Sequence, residues 1–290
     1  MSELQMQGRV ALVSGAASGM GEAVARRFLA MGASVVGFSL EKECGIDHKN
    51  FRYISGDITA YAACVDAVSR TVTEFGKLDS LVNCAGIVHE GGLETTDPMV
   101  FERVLRINTC GTFYICKAAI PYLKKQKSTI VNISSDMSIK PLADRIAYNP
   151  SKAAVNMLSE CIALEYAPMV RCNAILPGII DTPMIQKRLA AAAQPKQLQK
   201  EYQGLYALQR IGTTEDIVDS VVFLSTAQSD WITAVSYTHL DVYKRQHKER
   251  EILYDVYIKK ERATMKDLRS RLCGLWKKNI KGAANLDLTG

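Results

Sequence analysis

Apolar residues follow two rhythms along the first 234 positions. Short runs at residues 10–14, 34–38, 51–55, 80–83, 129–134 and 171–176 are apolar at half or more of their positions and read as strands of a sheet covered on both faces. Between and after them, residues 21–31, 61–75, 98–123, 148–166 and 214–225 repeat apolar side chains every three or four positions, which predicts helices with one buried face. Alternating strand and helix predicts an α/β domain with a doubly wound parallel sheet, spanning residues 1–234. Local punctuation agrees. Thr96-Asp97-Pro98 combines a helix cap with proline at a first helical position, and Gly32 sits where a helix should stop. The connection from Ser39 to Phe51 is too short for a full helix, and residues 184–208 read as a flexible segment.

Composition narrows the class. With 290 residues, 48% hydrophobic and 23% charged, and a mean hydropathy of -0.02, the chain matches an ordinary globular protein. No run reaches the roughly 18 to 20 uncharged residues of a membrane span, and residues 1–9 lack the pattern of a secretory signal, so no membrane partner and a cytoplasmic address are expected. The eight cysteines (44, 64, 84, 110, 116, 161, 172 and 273) show no C-x-x-C spacing. They read as reduced core residues rather than metal ligands or a disulfide framework.

Charge divides the chain in two. Residues 1–234 carry 23 basic and 23 acidic side chains, whereas the last 56 carry 13 and 7, so the whole net charge of +6 lies in the tail. The tail has no aromatic interleaving or finger spacing, and no nucleic-acid partner is expected. Residues 235–246 back-translate without conflict to tctcttatacacatct followed by its own reverse complement, agatgtgtataagaga. The segment resembles read-through of two abutting transposon mosaic ends and reads as a joining scar. The alternative is a genuine edge strand with a basic linker. On the first reading, residues 247–290 form an unrelated basic tail, helical or disordered, with an amphipathic stretch over residues 249–276.

Candidate chemistry starts with Ser14-Gly15-Ala16-Ala17-Ser18-Gly19-Met20-Gly21, between the first strand and the first helix. Glycines let the backbone turn tightly and approach a diphosphate, whose charge the helix N-terminal amides then hold. Tyr148 and Lys152 stand four residues apart, on one helix face. A neighbouring ammonium favours phenolate, so Tyr148 is expected to have a lowered pKa and to trade a proton with an alcohol or ketone. Ser135 ends the fifth apolar run, Asn83-Cys84-Ala85-Gly86 the fourth and Pro177-Gly178-Ile179-Ile180-Asp181-Thr182 the sixth, all where ligands collect on a parallel sheet. Pro150 fits a first helical turn, which predicts a helix from about Asn149.

This constellation resembles the classical short-chain dehydrogenase/reductase family over about residues 5–234. The glycine motif falls on Gly15, Gly19 and Gly21, the Asn-Asn-Ala-Gly motif on Asn83, Cys84, Ala85 and Gly86, and the catalytic tetrad on Asn108, Ser135, Tyr148 and Lys152. The resemblance implies a Rossmann-like fold and an NAD(P)-dependent enzyme that interconverts a secondary alcohol and a ketone, with Tyr148 as general acid/base. A non-catalytic nucleotide sensor or scaffold of the same fold is the alternative. It also implies cofactor contacts from Gly15, Ser18, Gly19, Met20, Gly21, Ser39, Asp57, Ile58, Asn83, Ala85, Gly86, Tyr148, Lys152, Pro177, Gly178, Ile180 and Thr182. Asp57 would hold the adenine, Thr182 the carboxamide or diphosphate, and Asn108 a relay water behind Lys152.

The acid that normally excludes a 2'-phosphate is replaced by Ser39. Lys42 argues for NADP and Glu41 against it, so the cofactor is NADP or NAD with a small lean to NADP. Substrate-lining candidates are His89, Met137, Met184 and Tyr206. The short Ser39–Phe51 connection, with Ser135-Asp136 and Arg171-Cys172-Asn173, is similar to dehydrogenases of cyclic dihydrodiols. The family implies a homo-tetramer or dimer. It also places a seventh strand with an Asp-Gly-Gly turn after residue 234, and that motif is absent here, so the strand is expected to be missing or replaced.

Overall fold

The six apolar runs become strands whose ends lie within one residue of those expected: β1 (Val10–Ser14), β2 (Ser34–Ser39), β3 (Phe51–Ser55), β4 (Ser80–Asn83), β5 (Ser128–Ile133) and β6 (Val170–Leu176). The computed structural model describes residues 5–238. Residues 1–203 and 210–240 make one compact unit, and residues 204–209 group with a second. The greater part of the expected joining scar and the whole basic tail, residues 239–290, lie outside the described residues.

The helices between the strands are α1 (Gly19–Ala30), α2 (Tyr61–Phe75), α3 (Pro98–Leu105), α4 (Gly111–Leu123), α5 (Tyr148–Tyr166), α6 (Pro183–Ala191), α7 (Pro195–Gly204) and α8 (Thr214–Ser225). Their ends obey the capping signals. Asp97 accepts a hydrogen bond from the Met99 amide with Pro98 at the first helical position, and Thr213 with Asp216 closes a capping box at the start of α8. Two expectations need correction. Residues 98–123 are not one regular helix, because a π turn at Arg106–Cys110 separates α3 from α4. Residues 184–208, read as flexible, are mostly helical: α6 starts on Pro183 and α7 on Pro195, prolines that suit a first turn.

All strand pairs are parallel, in the order β3-β2-β1-β4-β5-β6-β7. Along β1 the side chains alternate as a sheet requires. Ala11 and Val13 pack with Val24, Phe28 and Val221 of α1 and α8, while Leu12 packs on the opposite face with Val68, Ile115 and Ile162 of α2, α4 and α5. The chain order reverses between β1 and β4, so the connections leaving these strands diverge and a crevice opens at their C-terminal ends.

The seventh strand is present in replaced form. β7 (Ser236–Thr238) pairs in parallel with residues 174–176 of β6. Before it, an irregular segment completes the margin. Ala234 donates from its amide to the Cys172 carbonyl at 2.9 Å, the Cys172 amide donates to the Thr233 hydroxyl at 3.1 Å, and Arg171 donates to the carbonyls of Leu224, Thr226 and Ile232. All seven cysteines among the described residues are free thiols. Cys64, Cys116 and Cys172 are buried as expected, but Cys161 is exposed, because its position on α5 faces away from the sheet. No helix among the described residues is long and apolar enough to cross a membrane.

Candidate active site

The glycine-rich turn between β1 and α1 is shaped by backbone contact. Gly15 has φ +70°, and a Cβ there would lie 2.7 Å from the Ala85 amide nitrogen. Gly21 faces the same turn from α1, where a Cβ would stand 2.2 Å from the Gly15 carbonyl oxygen. Only glycine permits this approach. Ser18 precedes α1 without a side-chain cap, so no cap hydroxyl occupies the first-turn amides. Amides at a helix start, backed by a floor that a single methyl would fill, suit a diphosphate.

The turn opens into a crevice of about 400 Å³. Of the expected cofactor contacts, Gly15, Ser18, Gly19, Met20, Gly21, Ser39, Asp57, Ile58, Ala85, Gly86 and Thr182 line it. Asn83, Pro177, Gly178, Ile180, Tyr148 and Lys152 do not. Asn83 lies beneath the crevice, where Ser14 donates to its Oδ1 at 3.3 Å and it donates to Asn132 Oδ1 at 2.8 Å. Asn132 in turn donates to Ser159 of α5, also at 2.8 Å. This fully buried chain of amides and hydroxyls ties β1, β4, β5 and α5 together below the site. Sequence reasoning missed Asn132 and Ser159. Each lies in an element whose pattern is otherwise apolar or helical, so a buried polar position was the available signal. It also missed Arg103 as a crevice residue, whereas Glu41, weighed against Lys42 from the sequence, does line the crevice and Lys42 does not. Arg103 reaches the crevice from α3, an element with no glycine motif to mark it.

Ser39 accepts a hydrogen bond from the Ala17 amide at 3.1 Å, so its hydroxyl braces the glycine-rich turn. Asp57 is exposed and closes a local turn by accepting from the Thr59 amide at 2.8 Å.

The expected tetrad gathers beside the crevice. A Cβ on Gly86, which lines it, would lie 3.2 Å from Asn108 Oδ1 and 3.3 Å from Lys152 Nζ. Lys152 Nζ donates to the Ile133 carbonyl at 2.9 Å and sits 5.9 Å from the Tyr148 ring centre. Ser135, at the C-terminal end of β5, is hydrogen-bonded to Tyr148 and donates to Asp136 Oδ1 at 3.2 Å. Asn108 lies in the π turn, and its amide spans three partners. It accepts from the Ile87 amide and donates to the Ile87 carbonyl and the Ser151 hydroxyl. A π turn at a functional site rotates one side chain out of helical register, which is how Asn108 faces this loop.

One expectation about Tyr148 holds and one changes. α5 begins at Tyr148 itself, with Pro150 accommodated in its first turn. The phenol is not acidified in the free chain: burial pushes its pKa up to about 12, outweighing the Ser135 hydrogen bond that works the other way. Burial likewise brings Lys152 down to about 8. In both groups desolvation exceeds the stabilisation the partners provide and shifts the balance towards the neutral form, while Lys152 remains charged below about pH 8.

A phenol beside a hydroxyl and an ammonium, next to a glycine-floored crevice, is an arrangement that can trade a proton with an alcohol or ketone next to a bound dinucleotide. Comparison with known proteins identifies the lineage. Residues 15–240 match the family model described as enoyl-(acyl carrier protein) reductase. The chain is 35% identical over 242 residues to 2-(R)-hydroxypropyl-CoM dehydrogenase of Xanthobacter autotrophicus, a match covering 79% of this chain and 95% of that protein. Among solved structures it is similar to ligand-free aldohexose dehydrogenase of Thermoplasma acidophilum, with a TM-score of 0.77 and 32% identity over 81% of this chain and 93% of that one. It is also similar to 3-ketoacyl-(acyl-carrier-protein) reductase of Brucella melitensis complexed with NADH, with a TM-score of 0.74 and 28% identity over 80% and 97% of the two chains. The chain belongs to the short-chain dehydrogenase/reductase family and is a nicotinamide-dependent oxidoreductase.

Proposed function

We propose that the chain interconverts a secondary alcohol and a ketone, with Tyr148 exchanging the hydroxyl proton. The observation that carries this reading is the grouping of Ser135, Tyr148 and Lys152 next to the glycine-lined crevice. A nicotinamide dinucleotide, when bound, supplies or accepts the hydride. Gly15, Ser18, Gly19, Met20 and Gly21 would hold its diphosphate, Asp57 and Ile58 its adenine, and Thr182 its carboxamide end. Ser135 donates a hydrogen bond to the reacting oxygen, and Tyr148 gives that oxygen a proton in reduction or takes one in oxidation. Lys152 grips the ribose and favours phenolate once charged, while Asn108 fixes the Ile87 loop beside it. Asn83 acts from below, through Asn132.

The direct test follows nicotinamide absorbance with the full chain, NADH and NADPH, across a panel of ketones. Turnover with any ketone supports the reading, and none across the panel sinks it. The free-chain pKa values also set the expected pH dependence. Tyr148, up at about 12, stays protonated through the working range, while Lys152, down at about 8, loses its charge above that pH. The kcat/KM for the dinucleotide, which reports the free enzyme, should therefore hold level below pH 8 and fall above it, by about tenfold per unit. In Lys152→Arg, whose guanidinium does not titrate, that limb should vanish.

NADP is favoured by a small margin, because Ser39 brings no negative charge to the end of β2, while the Glu41 carboxylate lining the crevice keeps the margin small. Ser39→Asp is expected to move the ratio of kcat/KM for NADPH over NADH towards NADH by about tenfold or more. An unchanged ratio would show that the 2'-position is read elsewhere.

A further inference from the structure

Just before the start of α5 and Tyr148, two arginines share one oxygen. Arg145 Nη2 donates to Glu90 Oε1 at 2.9 Å, and Arg188, reaching across from α6, pairs with the same Oε1. The backbone fixes this arrangement. Gly91 bridges Arg145 in parallel fashion, its amide donating to the Asp144 carbonyl at 3.0 Å and its carbonyl accepting from Ile146 at 3.2 Å. Asp144 holds φ +56°, an uncommon conformation for a residue other than glycine, so the turn that presents Arg145 is strained. The Arg145 carbonyl accepts from the Asn149 amide in the first turn of α5, which ties this group to the helix carrying Tyr148.

The group has more donors than it uses. Arg145 is 7% exposed, yet its Nε has no hydrogen-bond partner. Tyr202 of α7 is equally buried, lies with its ring 5.3 Å from the Arg188 guanidinium, and has an unpartnered hydroxyl. Most buried donors are paired, because an unmade bond in a dry site is costly, and Arg145 Nε and the Tyr202 hydroxyl are two exceptions within one group. Here two guanidiniums converge on one half-exposed carboxylate, and the Tyr202 ring stacks against one of them with its hydroxyl unused. Asp144 and Glu201 also flank the group, but both are exposed.

We propose that Arg145, Arg188 and Tyr202 form an oxyanion subsite, so that the substrate is a small hydroxy or oxo compound carrying a carboxylate or sulfonate. Glu90 holds the two guanidiniums in place until the substrate anion takes over part of their donor set. A forked guanidinium matches a flat carboxylate or one face of a sulfonate, a fit a lysine would not give. This inference rests on the ketone/alcohol reading for its chemistry, but its binding component can be tested separately.

With the full chain and saturating NADPH, kcat/KM is measured for acetoacetate, levulinate and acetonylsulfonate, and for methyl acetoacetate and methyl levulinate as neutral partners. At least one anion should be preferred over the matched neutral compound by about 10- to 100-fold. In Arg188→Gln that ratio should collapse towards one through KM, and Tyr202→Phe should reduce it by a smaller factor. The carboxylate and sulfonate arms show which group the subsite takes. Equal use of acids and esters by the wild type, or a preference that survives in Arg188→Gln, overturns the proposal while leaving ketone reduction intact. If no compound is turned over, saturation-transfer NMR with propionate and 1-propanesulfonate decides. Binding lost in Arg188→Gln supports the subsite, and no binding to the wild type refutes it.

Discussion

Tyr148→Phe lowers turnover by about 10²- to 10⁴-fold, the usual worth of a positioned general acid or base, while leaving dinucleotide binding and thermal stability close to wild type. The substitution removes one oxygen and keeps the ring, so packing at the start of α5 is preserved. The Tyr148 hydroxyl bonds to Ser135, whose own oxygen also accepts from the Met137 amide at 3.2 Å and donates to Asp136, so Ser135 retains partners after the change. Steady-state kinetics, dinucleotide fluorescence and a thermal melt separate the outcomes. A loss of turnover that tracks a fall in Tm would mean that Tyr148 is structural, and retained turnover would move the acid/base role elsewhere.

Gly21→Ala should be the most damaging single-methyl change in the crevice. The new Cβ would stand 2.2 Å from the Gly15 carbonyl oxygen, and backbone on that side cannot swing away as a side chain would. Either the turn shifts or α1 lifts from it. Overpacking of this kind costs about 1–3 kcal/mol, and Tm falls by about 2–4 °C for each kcal/mol in a domain of this size. Because the displaced backbone is the wall that would hold the diphosphate, dinucleotide affinity should fall with it by about 10- to 100-fold. Gly45→Ala is the control. Its Cβ meets nothing nearer than the Arg26 guanidinium at 3.7 Å, so neither quantity should move. Unchanged affinity in Gly21→Ala would mean that the glycine turn is a structural turn only.

The parts of this fold legible in the sequence are those set by short-range rules. β1 to β6 carry apolar runs dense enough to be recognised one by one, and Asp97-Pro98 and Gly32 punctuate the helices by local chemistry. The glycines, Ser135, Tyr148 and Lys152 were legible because each falls at a fixed distance from a strand end or from another member of the group. What was hidden depends on tertiary neighbours. α6 and α7 are short, polar on average and bury almost no side chains, so residues 184–208 looked like loop. The π turn at Arg106–Cys110 leaves the apolar spacing almost unchanged while redirecting Asn108. The direction of the Tyr148 shift was misjudged because spacing shows the ammonium one turn away but does not show the burial that outweighs it. Glu90, Arg145 and Arg188 lie as far apart as 98 positions in the chain, and nothing local marks them as one group.

The margin of the sheet at β6 has a bearing on how damage would spread. On the outer side its first four residues meet no ladder among the described residues but separate hydrogen bonds: the Cys172 amide to the Thr233 hydroxyl, the Ala234 amide to the Cys172 carbonyl, the Val235 amide to Asn173 Oδ1, the Asn173 side chain to the Ile232 carbonyl, and the fan from Arg171. Separate bonds can be lost one at a time, so fraying there is expected to proceed by small increments rather than by loss of a cooperative strand pair. The crevice between β1 and β4 lies on the far side of β5 from that margin. Wear at the rim and failure at the reaction centre are thereby separate events in the life of the molecule.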